Sequence, residues 1–152
     1  MTVPVIRRAL PRDARALTRV AHAAKRHWRY PEAWIARWRE ALTVTPGFVE
    51  RGPVHCAVEG GRIVGFYALT GQGATRELEH MWIVPDRIGS GLGRRLLEHA
   101  RATARGDGAR FLSIASDPNA VGFYLRMGAR PTGDVPSAPR GRMLPRLRLD
   151  AR

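Results

Sequence analysis

The stretch from Glu77 to Arg95, reading ELEHMWIVPDRIGSGLGRR, constrains the fold more than any other part of this chain. An apolar run ends at a proline, passes through Gly89, Gly91 and Gly93, and enters a segment with helical spacing of apolar residues. A strand, a glycine turn and a helix start are therefore expected in that order. A helix start carries unpaired backbone N–H groups and a positive dipole end, which together suit an anion such as a phosphate. Glycine lets the backbone approach that anion and adopt positive φ. A dinucleotide fingerprint would place its third glycine at position 94, which is Arg94, and no Gly-Lys-Ser/Thr of a triphosphate loop is present. A purely structural turn is the competing reading.

Downstream, FLSIAS from Phe111 reads as a buried strand. Asp117-Pro118 reads as a helix start, with the aspartate as N-cap and proline in the first turn, and Gly128 reads as the helix stop. With these segments in place the chain resembles the GNAT superfamily of N-acetyltransferases. The resemblance rests on Ile83-Val84-Pro85, on the turn from Ile88 to Gly93, and on the run from Asn119 to Ala129. It extends through the closing segments from Gly133 and from Gly141, and is weakest over the first helices.

That resemblance implies acetyl-CoA as cofactor and direct transfer of its acetyl group to a primary amine. It assigns Met81, Trp82, Ile83 and Val84 to the pantetheine arm, with backbone groups of Met81 and Ile83 pairing as if to an added strand. Arg87, Ile88, Gly89, Ser90, Gly91, Leu92, Gly93 and Arg94 are implied at the pyrophosphate, Asn119 as a hydrogen-bond partner of the pantetheine, Phe123 as a further cofactor contact and Tyr124 near the sulfur. Tyr124 is implied as the acid for the departing thiolate, with a packed core tyrosine as the alternative. Glu77 matches the family glutamate that begins this strand, and Glu79 lies closer to the expected thioester, so both stay candidates for the base, beside a water route. The chain departs from the pattern at Ile88, where the family carries Gln or Arg. Either the pyrophosphate loses a polar contact or Arg87 and Arg94 reach it instead.

Composition sets the outer limits. A chain of 152 residues with 44% hydrophobic and 26% charged residues is one domain, 1–152, able to bury a core without metal or disulfide. One cysteine, Cys56, excludes an internal disulfide and suits a reducing, cytoplasmic setting. No apolar run is long enough for a membrane span. The formal net charge is +13, and Lys25 is the only lysine, so the positive charge is almost all arginine. It is spread along the chain and reads as solvated surface that attracts anions such as CoA, rather than as a nucleic-acid footprint. A non-catalytic CoA-binding module and a basic nucleic-acid-binding domain are the alternative functions, and a homodimer is an open option.

The remaining chain supplies the elements. Val3 to Ile6 is a first strand; Asp13 caps a helix with Leu17, Val20, Ala21, Ala24 and Trp28 as its apolar stripe; a second helix runs from Glu32 to Leu42 after Tyr30-Pro31. Thr45-Pro46-Gly47 reads as an irregular turn. Val54, Cys56 and Val58 alternate into the Gly60-Gly61 hairpin and the strand Ile63 to Leu69. Thr75 to Val84 is the next strand, with Glu77 and Glu79 sharing one face and His80 on the other. The order describes an α/β fold, a mixed and mostly antiparallel central sheet flanked by about four helices.

The five histidines form no metal-binding spacing, so no metal is expected, and Cys56 reads as a small buried hydrophobe. The acceptor region is expected around Trp28, Tyr30 and Trp34. There aromatic faces with Glu32 would suit an organic cation, while packing of Trp34 against Trp38 is the plainer reading. A polyamine, an amino acid, an aminoglycoside and a protein terminus stay open as acceptors.

Overall fold

The computed structural model describes residues 3–152. Seven strands form one sheet in the order β1-β2-β3-β4-β5-β7-β6. They span Val5–Arg8 (β1), Val54–Glu59 (β2), Arg62–Thr70 (β3), Thr75–Ile83 (β4), Phe111–Ala115 (β5), Arg130–Ser137 (β6) and Arg142–Asp150 (β7). Only the β4–β5 pair is parallel, as the connection through a helix requires. The mixed, mostly antiparallel sheet is thus as expected, with β1 starting two residues later than the sequence suggested. Gly60 and Gly61 both have positive φ, +58° and +80°, the backbone of a two-residue hairpin turn that follows strand twist.

Helices cover both faces. They are Ala14–His27 (α1), Glu32–Arg37 (α2), Arg39–Leu42 (α3), Pro46–Arg51 (α4), Leu92–Gly106 (α5) and Val121–Arg126 (α6). In α5, Leu92, Leu96, Leu97, Ala100 and Ala104 are all buried, as their spacing predicted. The helix lies so close to β3 that a Cβ at Gly65 would stand 3.0 Å from the Leu96 side chain. Leu17, Val20, Ala21 and Ala24 of α1 are buried too. Trp28 departs from that stripe and is 41% exposed, because Arg29 turns the chain with φ +58°.

Three local readings are corrected. Asp13 precedes α1 but does not cap it; its carboxylate accepts from the Leu10 N–H (2.8 Å) and pairs with Arg7 (2.8 Å), closing a 3-10 turn and pinning β1. The expected 32–42 helix is two pieces, interrupted at Trp38 (φ −88°, ψ 2°), whose ring is anchored elsewhere by Nε1–H donating to the Ala138 carbonyl (2.8 Å). Thr45-Pro46 begins α4 rather than a loop, with the threonine hydroxyl accepting from the Phe48 N–H (3.1 Å) and proline in the first turn.

The most consequential correction lies in β4. Tyr67 meets His99 (2.7 Å) and Thr103 (2.8 Å) of α5, which sets the odd-numbered residues of that part of β3 on the α5 face. Residues directly opposite share a face. Tyr67 opposes Met81 and Ala68 opposes His80, but Leu69 opposes Leu78 and Thr70 opposes Glu77. Glu79 is therefore an inserted residue, a β-bulge that reverses the alternation. His80 ends on the face of Glu77, contrary to strict alternation, while Leu78 and Met81 both face α5.

Candidate active site

β4 and β5 pair only through Thr75, Glu77 and the residue between them, so the two strands separate beyond Glu77. Val84 donates to the Val64 carbonyl (3.0 Å). Antiparallel alternation then gives the backbone groups of Trp82 and His80 to β3 and turns those of Met81 and Ile83 into the gap. Unpaired main-chain N–H and C=O groups at the edge of a gap are a template for an extended ligand. A cleft of about 560 Å3 occupies this gap.

One wall of the cleft is the glycine turn. Gly89 and Gly91 take φ +81° and +86°, and a Cβ at either would meet nothing within 4 Å, so glycine serves conformation and open approach there. Gly91 stands at the N-cap of α5 with no side chain of its own; the Leu92 N–H donates to the Ser90 hydroxyl (3.4 Å), and the next N–H groups of the first turn, at Gly93 and Arg94, have no capping side chain beside the cleft. Ser90 turns its hydroxyl to the Arg87 carbonyl (2.6 Å) and, like Leu92 and Val84, does not line the cleft; the last two are core. Arg87 borders the cleft, yet its guanidinium pairs with Glu59 and with Asp86 (3.7 Å). Arg94 also borders it and has no ion-pair partner among the described residues. Of the two cations considered as substitutes for the missing residue at Ile88, only Arg94 is uncommitted.

The opposite wall comes from the turn after β5. The Asp117 carboxylate accepts from the Asn119 N–H (2.8 Å), as an N-cap should, and Pro118–Ala120 form a 3-10 turn into α6. Gly128, at φ +99°, ends that helix as expected. Asn119, Phe123 and Tyr124 all line the cleft. Tyr124 is 5% exposed, and burial together with the Asp117 charge drives its phenol far above the ordinary range, so it stays protonated. Asn119 uses its Nδ2 to donate to the Tyr30 hydroxyl (3.1 Å) and to Asp117 (3.0 Å), which leaves Oδ1 as its free group.

The carboxylates separate clearly. Glu79, at the bulge, is exposed, lines the cleft and accepts from the Thr70 hydroxyl (3.3 Å). Glu77 does not line the cleft; Arg146 holds it at 3.3 Å while also reaching Ser113 (2.5 Å). His80 is 8% exposed, and its Nδ1 accepts from the Trp82 ring N–H (2.9 Å), which fixes the neutral tautomer with hydrogen on Nε2. Burial keeps its basicity low. Cys56 is fully buried, its thiol pushed up to about 11 by burial, and is chemically quiet as expected.

The residues expected around the acceptor divide between cleft and packing. Trp28 and Trp82 line the cleft, as Glu79 does, whereas Tyr30 and Trp34 do not. Tyr30, Trp34 and Trp38 pack on one another, with ring centroids 4.9–6.0 Å apart. Their faces are already taken by cations of the chain itself: Lys25 lies 4.4 Å from the Trp38 ring and Arg142 4.7 Å from it. Glu32 is exposed and paired with Arg26 (2.5 Å), so it forms no cation box with these rings. Arg146 over Glu77 and the Lys25–Asp117 pair (2.5 Å) were not anticipated, since each joins residues far apart in the chain.

Comparison with known proteins agrees with this geometry. The sequence profile described as Acetyltransferase (GNAT) family matches residues 15–129. The chain is 31% identical over 137 residues to the peptidyl-lysine N-acetyltransferase YjaB of Salmonella typhimurium, covering 78% of this chain and 89% of the relative. It is 26% identical over 132 residues to the 5-NmdU N-acetyltransferase of Pseudomonas phage PaMx11, covering 86% and 89%. The PaiA N-acetyltransferase of Thermoplasma acidophilum, solved in complex with coenzyme A, superposes with a TM-score of 0.80 at 19% identity, covering 97% and 99%, a likeness of fold.

Proposed function

The chain belongs to the GNAT acetyltransferase family, and on that premise we propose that it transfers the acetyl group of acetyl-CoA to an aliphatic primary amine presented at the Glu79 end of the cleft. The observation that carries this reading is the gap between β4 and β5. There Met81 and Ile83 share one cleft with the N-terminus of α5 and with Tyr124. The residues fit the cofactor. The glycine turn, the α5 N–H groups and Arg94 would hold its pyrophosphate, Met81 and Ile83 its amide-bearing arm, and the free Asn119 Oδ1 would accept from an amide N–H of that arm.

When bound, acetyl-CoA supplies a thioester: a C–N bond forms to the amine, the C–S bond breaks, and the thiolate leaves. The chain handles two protons. Glu79, directly or through water, takes the one that frees the amine lone pair; the second leaves the nitrogen once the C–N bond has formed and replaces, through water, the proton that Tyr124 gives to the thiolate. Glu77 is held by Arg146 and supports the sheet rather than the reaction. Trp28, Trp82 and the Glu79 carboxylate line the same cleft and together suit an alkylammonium group, through its charge and its methylene chain. An acceptor of this kind is in keeping with a relative that acts on peptidyl lysine. A panel of amines, including lysine peptides and polyamines, tests it by intact mass with acetyl-CoA. Acetylation of alkylammonium acceptors is expected, and turnover only of aromatic or weakly basic amines would overturn the assignment.

A further inference from the structure

Of 26 lysine and arginine residues, only Lys25 is a lysine. It is also buried, at 7% exposure, where charge is costly. Its ammonium stands 2.5 Å from Asp117, with both side chains about nine-tenths buried. The rings of Trp38, Tyr30 and Trp82 surround it at 4.4, 4.9 and 5.7 Å. Asp117 is the hub of a closed set of hydrogen bonds. It accepts from Lys25, from the Tyr30 hydroxyl (3.0 Å), from the Asn119 N–H (2.8 Å) and from Asn119 Nδ2 (3.0 Å). Tyr30 in turn accepts from Asn119 Nδ2 and from Arg142, each at 3.1 Å. Every hydrogen on the Asn119 amide is therefore directed, which fixes where its carbonyl oxygen lies. The same carboxylate caps the turn that runs into Phe123 and Tyr124.

We propose that Lys25 is a positioning residue for acetyl transfer: through Asp117 it fixes the Asn119 amide and the turn that carries Tyr124 to the cleft. The inference rests on the cleft assignment above. A buried ion pair is weak evidence for stability, since apolar residues of similar volume would pack as well, so its use here fits a geometric task. A compact ammonium meets one carboxylate oxygen among three rings; the planar, wider fork of arginine, used at every other basic position, would not. The charged and titratable groups facing Asp117 are Lys25 on α1, Tyr30 after it, Arg142 on β7 and Tyr124 on α6, whose phenol is kept protonated by burial and the Asp117 charge. Arg142 reaches Asp117 only by way of the Tyr30 hydroxyl, so Lys25 is the direct counter-ion.

The test compares wild type, Lys25→Met, Lys25→Arg and the double variant Lys25→Met/Asp117→Asn. Melting temperature, kcat, KM for acetyl-CoA and the pH–rate profile are read for each. Lys25→Met is expected to lower kcat about tenfold or more. It should also create an acid limb displaced upward, because a buried Asp117 without its cation takes up a proton more readily. The double variant should recover melting temperature without recovering kcat, which a merely structural pair would not do. Unchanged kcat and acid limb in Lys25→Met, or recovery of kcat with stability in the double variant, would overturn the inference. If Lys25→Met does not fold, Lys25→Arg decides: altered kcat and KM are expected, and wild-type values contradict the proposal. A wild-type chain without turnover would instead overturn the cleft assignment itself.

Discussion

Tyr124, Glu79 and Glu77 illustrate how far single residues could be read in advance. Tyr124 was identifiable because its Asp117-Pro118 cap, its helix and its Gly128 stop are all local signals. Which of the two glutamates lines the cleft was not, because it depends on a bulge with no compositional mark and on Arg146, which lies 69 positions along the chain from Glu77. Two kinetic predictions follow from their positions. Tyr124→Phe should lower kcat by about 10²-fold, the low end for general acid catalysis, with acetyl-CoA affinity nearly unchanged. A variant with wild-type kcat would remove the phenol from the reaction. Glu79→Gln should reduce kcat, whereas Glu77→Gln should act mainly on thermal stability. The reverse ranking in steady-state assays would transfer the base to Glu77. Arg87 teaches the same lesson from the other side, since Glu59 holds a guanidinium that sequence position alone would have left for the cofactor.

Elements were legible where periodicity or turn chemistry set them. The α5 stripe, the Gly60-Gly61 hairpin and the first five strands are of this kind; β6 and β7 were expected from the family resemblance alone, and the break at Trp38 answers to the distant Ala138 carbonyl and not to local propensity. Packing between elements also produced an unforeseen group at the β2, β3 and α5 contact. His55 stacks on Tyr67 with centroids 5.3 Å apart and lies 4.7 Å from His99, and its Nδ1 is buried without a hydrogen-bond partner. Burial, with the His99 and Arg8 charges, pushes His55 down to about 4. The unfolded chain, with an ordinary histidine near 6.5, binds the proton more readily, so this contact is fully stable above that value. Stability is lost as pH falls toward 4, by about 2 kcal/mol between pH 7 and pH 5. Urea unfolding across that range should show the loss in wild type and a flatter profile in His55→Leu. Parallel profiles would show that another group carries the acid sensitivity.

At the scale of the whole molecule, the sheet opens at one place only along the β4–β5 seam, and the glycine turn, α5 and α6 converge there. That convergence was foreseeable from two motifs in fixed order, whereas the network behind it, Lys25 to Asp117 across 92 positions, had no local signature. The net charge of +13 acts on a different level: it raises the local concentration of any anion and fades with salt, while a built site keeps its selectivity. The central claim is that this cleft is a selective acetyl-CoA site. Calorimetric titration of acetyl-CoA at moderate salt, with dephospho-CoA and ATP as controls, tests it most directly. Saturable one-site binding that clearly prefers acetyl-CoA to ATP is the predicted result. No binding, or equal binding to every polyanion, would reduce the glycine turn to a structural feature and contradict the account.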